Sequence, residues 1–436
     1  MVLAKPYSNG MEARSSSLAI FDKPNVQTDF QKTVTVDYHP VSSVEGGGPI
    51  EFHIPGNAED YIDLNDISLY VKFHVTRSNG KPIVDADKVG LVNLPISTLF
   101  QDVYLTVGDQ QIEGGQNIYP YLGYFNTVTQ FEPQAQFSHM QAQGWHKDDA
   151  GKFEDDGNSG FKKRAAMIAG SSPAEVIGPL FLDFFRQDRY LISQTSMRIK
   201  LLPSKPEFAL MALAATKDFK IQLTEVILYV PRTEMNPSVI NGHALGLRKQ
   251  NALYPLTHNE VYTYTIPKGQ KSYTKDQLFM DQSPKLLLVA MIENDALNGS
   301  LAKNPFNFQH FNLSKIALYR EGRSVPGPPF TPDFGNEHYL RSYKYTMRSL
   351  NYYNTDDTNG LTPKMFAGGY TIYAFDLTAD GDISAAHNQA IPSNNLRLDL
   401  FFDKALPTTI NVLLFASFNS AVEITHLRDV ITHYTR

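Results

Sequence analysis

Ile50-Glu-Phe-His-Ile-Pro-Gly-Asn-Ala-Glu-Asp-Tyr-Ile-Asp-Leu-Asn-Asp-Ile-Ser-Leu-Tyr-Val-Lys-Phe-His-Val75 alternates twice. Ile50, Phe52 and Ile54 share one face, with Glu51 and His53 on the other. Pro55-Gly-Asn breaks the ladder, and a second alternation puts Ile67, Leu69, Val71, Phe73 and Val75 against Ser68, Tyr70, Lys72 and His74. Period two over this length is a strand with one buried face. A helix would scatter Ile67, Leu69 and Val71 over different faces.

The stretch has an echo 212 positions later, where Ile54, Pro55 and Tyr61 fall on Ile266, Pro267 and Tyr273. Val103–Ile112 then falls on Ile316–Val325, and Met197–Leu201 on Leu396–Leu400. After the second echo, each half carries a Tyr-rich helical patch: Tyr121, Leu122, Phe125 and Val128 in one, Leu340, Tyr343, Met347 and Leu350 in the other. Elements that recur in one order at so long a period indicate two copies of one all-β unit.

Further strands are expected at Thr33–Tyr38, Leu180–Phe185 and Phe219–Val230, and, in the second unit, at Val261–Ile266, Lys285–Ile292, Leu313–Arg320, Tyr370–Leu377 and Thr409–Phe418. Ala209–Ala215 is compatible with a short helix. Short strands parted by many turns suggest sandwiches of jelly-roll type, in which sheets face one another. The expected division is an N-terminal arm (1–32), a first roll (33–235) and a second roll with a C-terminal tail (236–436), joined where Asn236-Pro and Asn241-Gly interrupt the periodicity. Two excursions, 130–174 and 325–367, lack strand periodicity and carry Phe131, Phe137, Trp145, Phe330, Phe334 and Tyr339. These six aromatics are candidates for contact with other copies of the chain; the alternative is that they pin each loop to its own roll.

Composition narrows the function. The net charge of −6 lacks the basic excess of a nucleic-acid coat. With no cysteine, disulfides, thiolate zinc sites and thiol catalysis are excluded. No stretch has membrane-spanning length, and the N-terminus lacks a signal-peptide core, so synthesis inside the cell is expected. The 12 histidines form no His-x-His or His-Glu-x-x-His pair, which argues against a metal-dependent cupin. His53 and His74 lie on polar strand faces, and His426 and His433 could share a helical face. Asp376–Asp382 has His387 where a calcium loop needs Glu. Gly46-Gly-Gly48 is no phosphate loop, and no Gly-x-Ser-x-Gly elbow occurs. No catalytic, cofactor or metal residue is expected.

Phe21-Asp-Lys-Pro-Asn-Val-Gln-Thr-Asp29, Ile50-Glu-Phe-His-Ile-Pro-Gly56 and Asp60-Tyr-Ile-Asp-Leu64 resemble the major capsid proteins of Polinton (Maverick) elements and the related adintoviruses. Leu91-Val-Asn-Leu-Pro-Ile96, Phe100-Gln-Asp-Val103 and Tyr119-Pro-Tyr121 extend the likeness. The resemblance implies an all-β double jelly roll, two tandem eight-stranded sandwiches with short helices in long loops. It implies homotrimeric, pseudo-hexagonal capsomers of an icosahedral virion capsid around double-stranded DNA. It further implies penton and minor capsid proteins as partners, no specific nucleic-acid binding and no cofactor. Two other readings stay open: a carbohydrate- or receptor-binding jelly roll, and a sandwich hydrolase with carboxylates converging in a groove.

Overall fold

The computed structural model describes residues 16–18, 20–44, 46–214, 218–280, 282–383 and 395–433. The first half contributes β1 (Phe30–Tyr38), β2 (Ile50–Ile54), β3 (Ser68–Arg77), β4 (Phe100–Val107), β5 (Gln110–Glu113), β6 (Ala174–Pro179), β7 (Met197–Pro203) and β8 (Phe219–Met235). The second contributes β9 (Ala252–Ile266), β10 (Ser272–Lys275), β11 (Leu286–Glu293), β12 (Leu313–Arg320), β13 (Arg323–Phe330), β14 (Ile372–Asp376), β15 (Leu396–Phe402) and β16 (Ile410–Ile424). The longer helices are α1 (Tyr119–Gln130), α2 (Ser159–Met167), α3 (Pro237–Leu247) and α4 (Leu340–Ser349).

The strands pair as β1-β8-β3-β6 and β2-β7-β4-β5, then as β9-β16-β11-β14 and β10-β15-β12-β13. The second order is the first with eight added to every number, and every ladder is antiparallel. Each set of two facing sheets is a jelly roll, and the chain is a double jelly roll. The founding alternation holds: Ile50, Phe52 and Ile54 of β2 and Leu69, Val71, Phe73 and Val75 are buried, and their alternate neighbours are not.

The order corrects the first echo. Ile54 ends β2, which pairs β7, whereas Ile266 ends β9, which pairs β16. The true counterpart of β2 is β10, so that echo matched two amphipathic strands of different sheets. The other two echoes align β4 with β12 and β7 with β15, which are equivalent. α1 and α4 are equivalent too, each following the fifth strand of its roll, β5 or β13.

Other expectations shift. The strand expected at Leu180–Phe185 is Ala174–Pro179 instead. Residues 180–185 are buried almost throughout and fold into local turns, Leu182 N–H donating to Leu180 O and Phe185 N–H to Leu182 O. The described part of the Ala209–Ala215 stretch, 209–214, forms no separate helix: a single turn ends at Ala209, and Leu210–Ala212 pairs with Val89–Leu91, while Ala215 lies outside the described residues. Asn236-Pro237 opens α3, the Asn236 side chain accepting from Ser238 N–H and Pro237 filling the first helical position. The excursion expected from 325 begins inside β13, an edge strand that tolerates Pro326, Pro328 and Pro329 because it pairs only with β12.

Candidate functional site

Both excursions join the fifth and sixth strands of their rolls, 114–173 in the first and 331–371 in the second. The first reaches across to the second roll, and α1 is its wedge. Tyr124 stacks on Phe306 at 3.9 Å, Phe125 stacks on Phe308 at 5.2 Å, and Phe125 also meets Phe415 of β16 at 5.4 Å. Phe306 and Phe308 lie between β11 and β12, so rings of both rolls share one core. Farther along, Tyr370 O–H donates to Asp148 O at 2.8 Å, Gly151 N–H to Gly368 O at 2.7 Å, and Lys147 Nζ to Gly360 O at 3.0 Å. Burial lowers the Lys147 ammonium to about 8. Gly369, at φ 103°, lets the second roll approach so closely that a Cβ there would overlap the Phe153 ring.

An internal ion pair holds this loop in shape. Arg164 of α2 meets Asp148 at 2.6 Å with both side chains fully buried. Arg164 Nε also donates to Leu91 O at 2.9 Å, and Asn158 Nδ2 donates to Asp148 Oδ1 at 2.7 Å. Paired and hydrogen-bonded, these charges tolerate burial that neither would tolerate alone.

A polar chain crosses the junction elsewhere. Glu113 at the end of β5 accepts the backbone N–H groups of Asp183 and Phe184 at 3.0 and 2.8 Å. Asp183 in turn accepts Asn259 N–H and Nδ2 at 2.7 and 2.6 Å, passing from the first roll to β9 of the second. His258 lies 3.4 Å from Asp183 and 3.2 Å from Glu260, and Tyr262 O–H donates to Glu260. Sequence reading missed this group because its members lie at 113, 183 and 258–260. Phe306 and Phe308 were missed as well; the Phe-x-Phe spacing outside any strand was the available signal.

The six aromatics divide. Trp145 is 1% exposed against Tyr124, and Phe330 is 3% exposed within β13 against Tyr345 and Phe375. These two pin their own chain, since their surfaces are already occupied. Phe334 stacks between His310 and Tyr339 at 4.0 and 5.2 Å, all within the second roll, and Phe131 is half-buried against the shared core. Phe137 stands 66% exposed.

The histidines singled out from the sequence lie apart from one another. His53 is exposed and His74 half-buried, each on an outward face. His433 follows a short strand, Val430–Thr432, rather than a helix, and meets Glu423 at 2.8 Å. Asp376 accepts from Thr378 of its own turn, and His387 lies outside the described residues. Among the described residues no three His, Asp or Glu side chains are grouped to hold a metal ion, and no helix is long and apolar enough to cross a membrane.

No protein-family model matches the chain. A Caenorhabditis elegans protein described as uncharacterized protein F54H12.2 is 24% identical over 426 residues, spanning 94% of this chain and 99% of its own. Among solved structures, the cryo-EM structure of the Sputnik virophage superposes with a TM-score of 0.65 at 13% identity, covering 99% of this chain and 94% of that one. The quasi-atomic PBCV-1 virus capsid gives 0.59 at 13%, covering 95% and 100%. The mavirus major capsid protein gives 0.54 at 10%, covering 100% and 96%. The fold is that of viral major capsid proteins. At such identities the likeness establishes architecture, and it runs through both rolls.

Proposed function

We propose that this chain is a major capsid protein of the Polinton and adintovirus kind, forming trimeric, pseudo-hexagonal capsomers of an icosahedral virion shell. The observation that carries the reading is the contact between the rolls. It is heterologous: the loop and helix after β5 of one roll cover the outer face of the four-stranded sheet of the next. Each chain retains the complementary surfaces, α4 on the second roll and the outer face of β1-β8-β3-β6 on the first. Repeating one heterologous contact around a closed axis gives a ring, and three copies give six similar rolls.

The proposed contact has matching chemistry. Leu340, Lys344 and Arg348, spaced by four, form an exposed stripe along α4. The opposing face carries Glu175, Ile177 and Glu225 exposed around Tyr70, whose O–H donates to Glu175 at 2.8 Å. Phe137 joins this surface in our reading, with Phe131, Phe334 and Tyr339 at its edge. The rolls are assigned to 33–235 and 236–436, divided at α3, with residues 1–32 as an arm between capsomers. Penton and minor capsid proteins complete the set of partners, and no catalysis is assigned.

Light scattering on purified protein tests this. The expected mass is three times that of the monomer and persists on dilution, with hexagonal outlines in electron micrographs. A monomer at every concentration, without hexagonal particles, overturns the reading.

A further inference from the structure

The group around His258 is more than a structural tie. Glu113 closes β5, Asp183 and Arg186 sit on the turn after β6, Tyr119 opens α1, and His258, Glu260 and Tyr262 project from β9. Lys285, just before β11, donates to Thr257 next to His258. Three carboxylates and one imidazole therefore converge in the seam between the rolls. Arg186 sits nearby, its guanidinium donating to Asn126 at 3.1 Å and Gln130 at 2.8 Å. The seam is not sealed: a cleft of about 820 Å³ opens onto it, lined by Glu113, His258, Asn259, Glu260 and Tyr262. Solvent protons reach the cluster although its side chains are buried.

We infer that this cluster is a pH-sensitive latch, holding the two rolls together most firmly under acidic conditions and loosening their junction progressively as pH rises through neutral into the alkaline range. The inference stands apart from any assembly of the chain, because every group belongs to one molecule. With Glu113 protonated and His258 charged, Arg186 and His258 balance Asp183 and Glu260. Loss of the Glu113 proton shifts that balance by one negative charge, and loss of the His258 proton shifts it by a second. Each step repels Asp183, whose carboxylate is the direct bridge to Asn259.

The direction follows from linkage. Burial, then the Asp183 charge, raises Glu113 from 4.5 to about 7. Its stabilisation is complete below 4.5 and is lost as pH rises through 7. Burial alone would lower His258, but Asp183 and Glu260 overcome it and raise the imidazole from 6.5 to about 10. Its stabilisation is present below 6.5 and is lost as pH rises through 10.

Hydrogen exchange at the Asn259 amide reads the latch directly, because that N–H is bonded to Asp183 Oδ2. In the full chain, its protection, corrected for intrinsic exchange, should fall by roughly tenfold or more between pH 6 and 8 and keep falling toward pH 10. Amides within β4 and β12 should keep theirs. Glu113→Gln should make the fall between pH 6 and 8 shallower, and His258→Gln should reduce the fall from pH 6.5 upward and remove the part that continues toward pH 10. Wild-type infrared spectra should show a protonated buried carboxyl at pH 6 that is gone by pH 9, a measurement that needs no variant to fold. Flat wild-type protection from pH 6 to 9, or a Glu113→Gln slope equal to wild type, overturns the latch.

Discussion

The sheets β1-β8-β3-β6 and β9-β16-β11-β14 have the same strand order, yet their outer faces are opposites. Along β3, buried Leu69, Val71, Phe73 and Val75 alternate with half-buried Tyr70, Lys72 and His74. Along β11, Leu286-Leu-Leu-Val-Ala-Met-Ile292 is buried at every position. Inward-facing Leu287, Val289 and Met291 fill the second roll, while Leu286, Leu288, Ala290 and Ile292 face the core shared with the first. Identical connectivity thus coexists with different surroundings. A strand covered on one face alternates, and a strand covered on both becomes continuously apolar. What separates the two sheets is a neighbour: α1 with its loop covers one, and no described part of this chain covers the other in the same way.

Matched substitutions on the two central strands break the comparison most sharply. Leu288→Asp should prevent folding, since an unpartnered buried carboxylate costs several kcal/mol against a typical stability of about 5–15 kcal/mol. Leu69→Asp and Phe73→Asp, on the inner face of β3, should do the same. Tyr70→Asp, at an outward position of β3, should leave soluble, folded protein. Expression and circular dichroism compare the four, and a well-folded Leu288→Asp chain would mean that α1 does not seal the second sheet.

Next comes the loop that does the sealing. Arg164→Met strands Asp148 without its cation and should cost about 3–5 kcal/mol in denaturant unfolding. Phe125→Ala removes the ring that bridges Phe308 and Phe415 and should cost about 3–5 kcal/mol. Proteolysis should then cut first at the seam, and equal resistance to wild type would remove α1 from the role of wedge. The smallest effect on the single chain belongs to Phe137→Ser, within roughly ±0.5 kcal/mol, because this ring is exposed. On the proposed trimer its effect should be larger, increasing dissociation on dilution. Unchanged dissociation would leave Phe137 out of the contact.

Much of this architecture is legible in local pattern. The alternation of Ile50–Val75 fixes two strands and their buried faces, and the echoes at Val103 and Met197 place equivalent strands in both halves. Tyr121, Leu122, Phe125 and Val128 do mark a helix. The echo at Ile54 fails because any two amphipathic strands look alike, and only hydrogen-bonded partners reveal which sheet each belongs to. Leu180–Phe185 misleads for a related reason: apolar residues buried on all sides carry no period, so a turn and a strand read alike. Among the loop aromatics, sequence shows that the rings need cover and not whose atoms provide it.

Strand, face and repeat are short-range properties, set by backbone geometry and the exclusion of apolar side chains from water, and they are written residue by residue. The seam is long-range. Phe125 meets Phe308 across 183 positions of chain, and Asn259 meets Asp183 across 76. Nothing local in either partner announces the other. Only the packing of one roll on the next decides that β11 is covered twice, that Trp145 turns inward while Phe137 does not, and that four scattered titratable groups share one buried field.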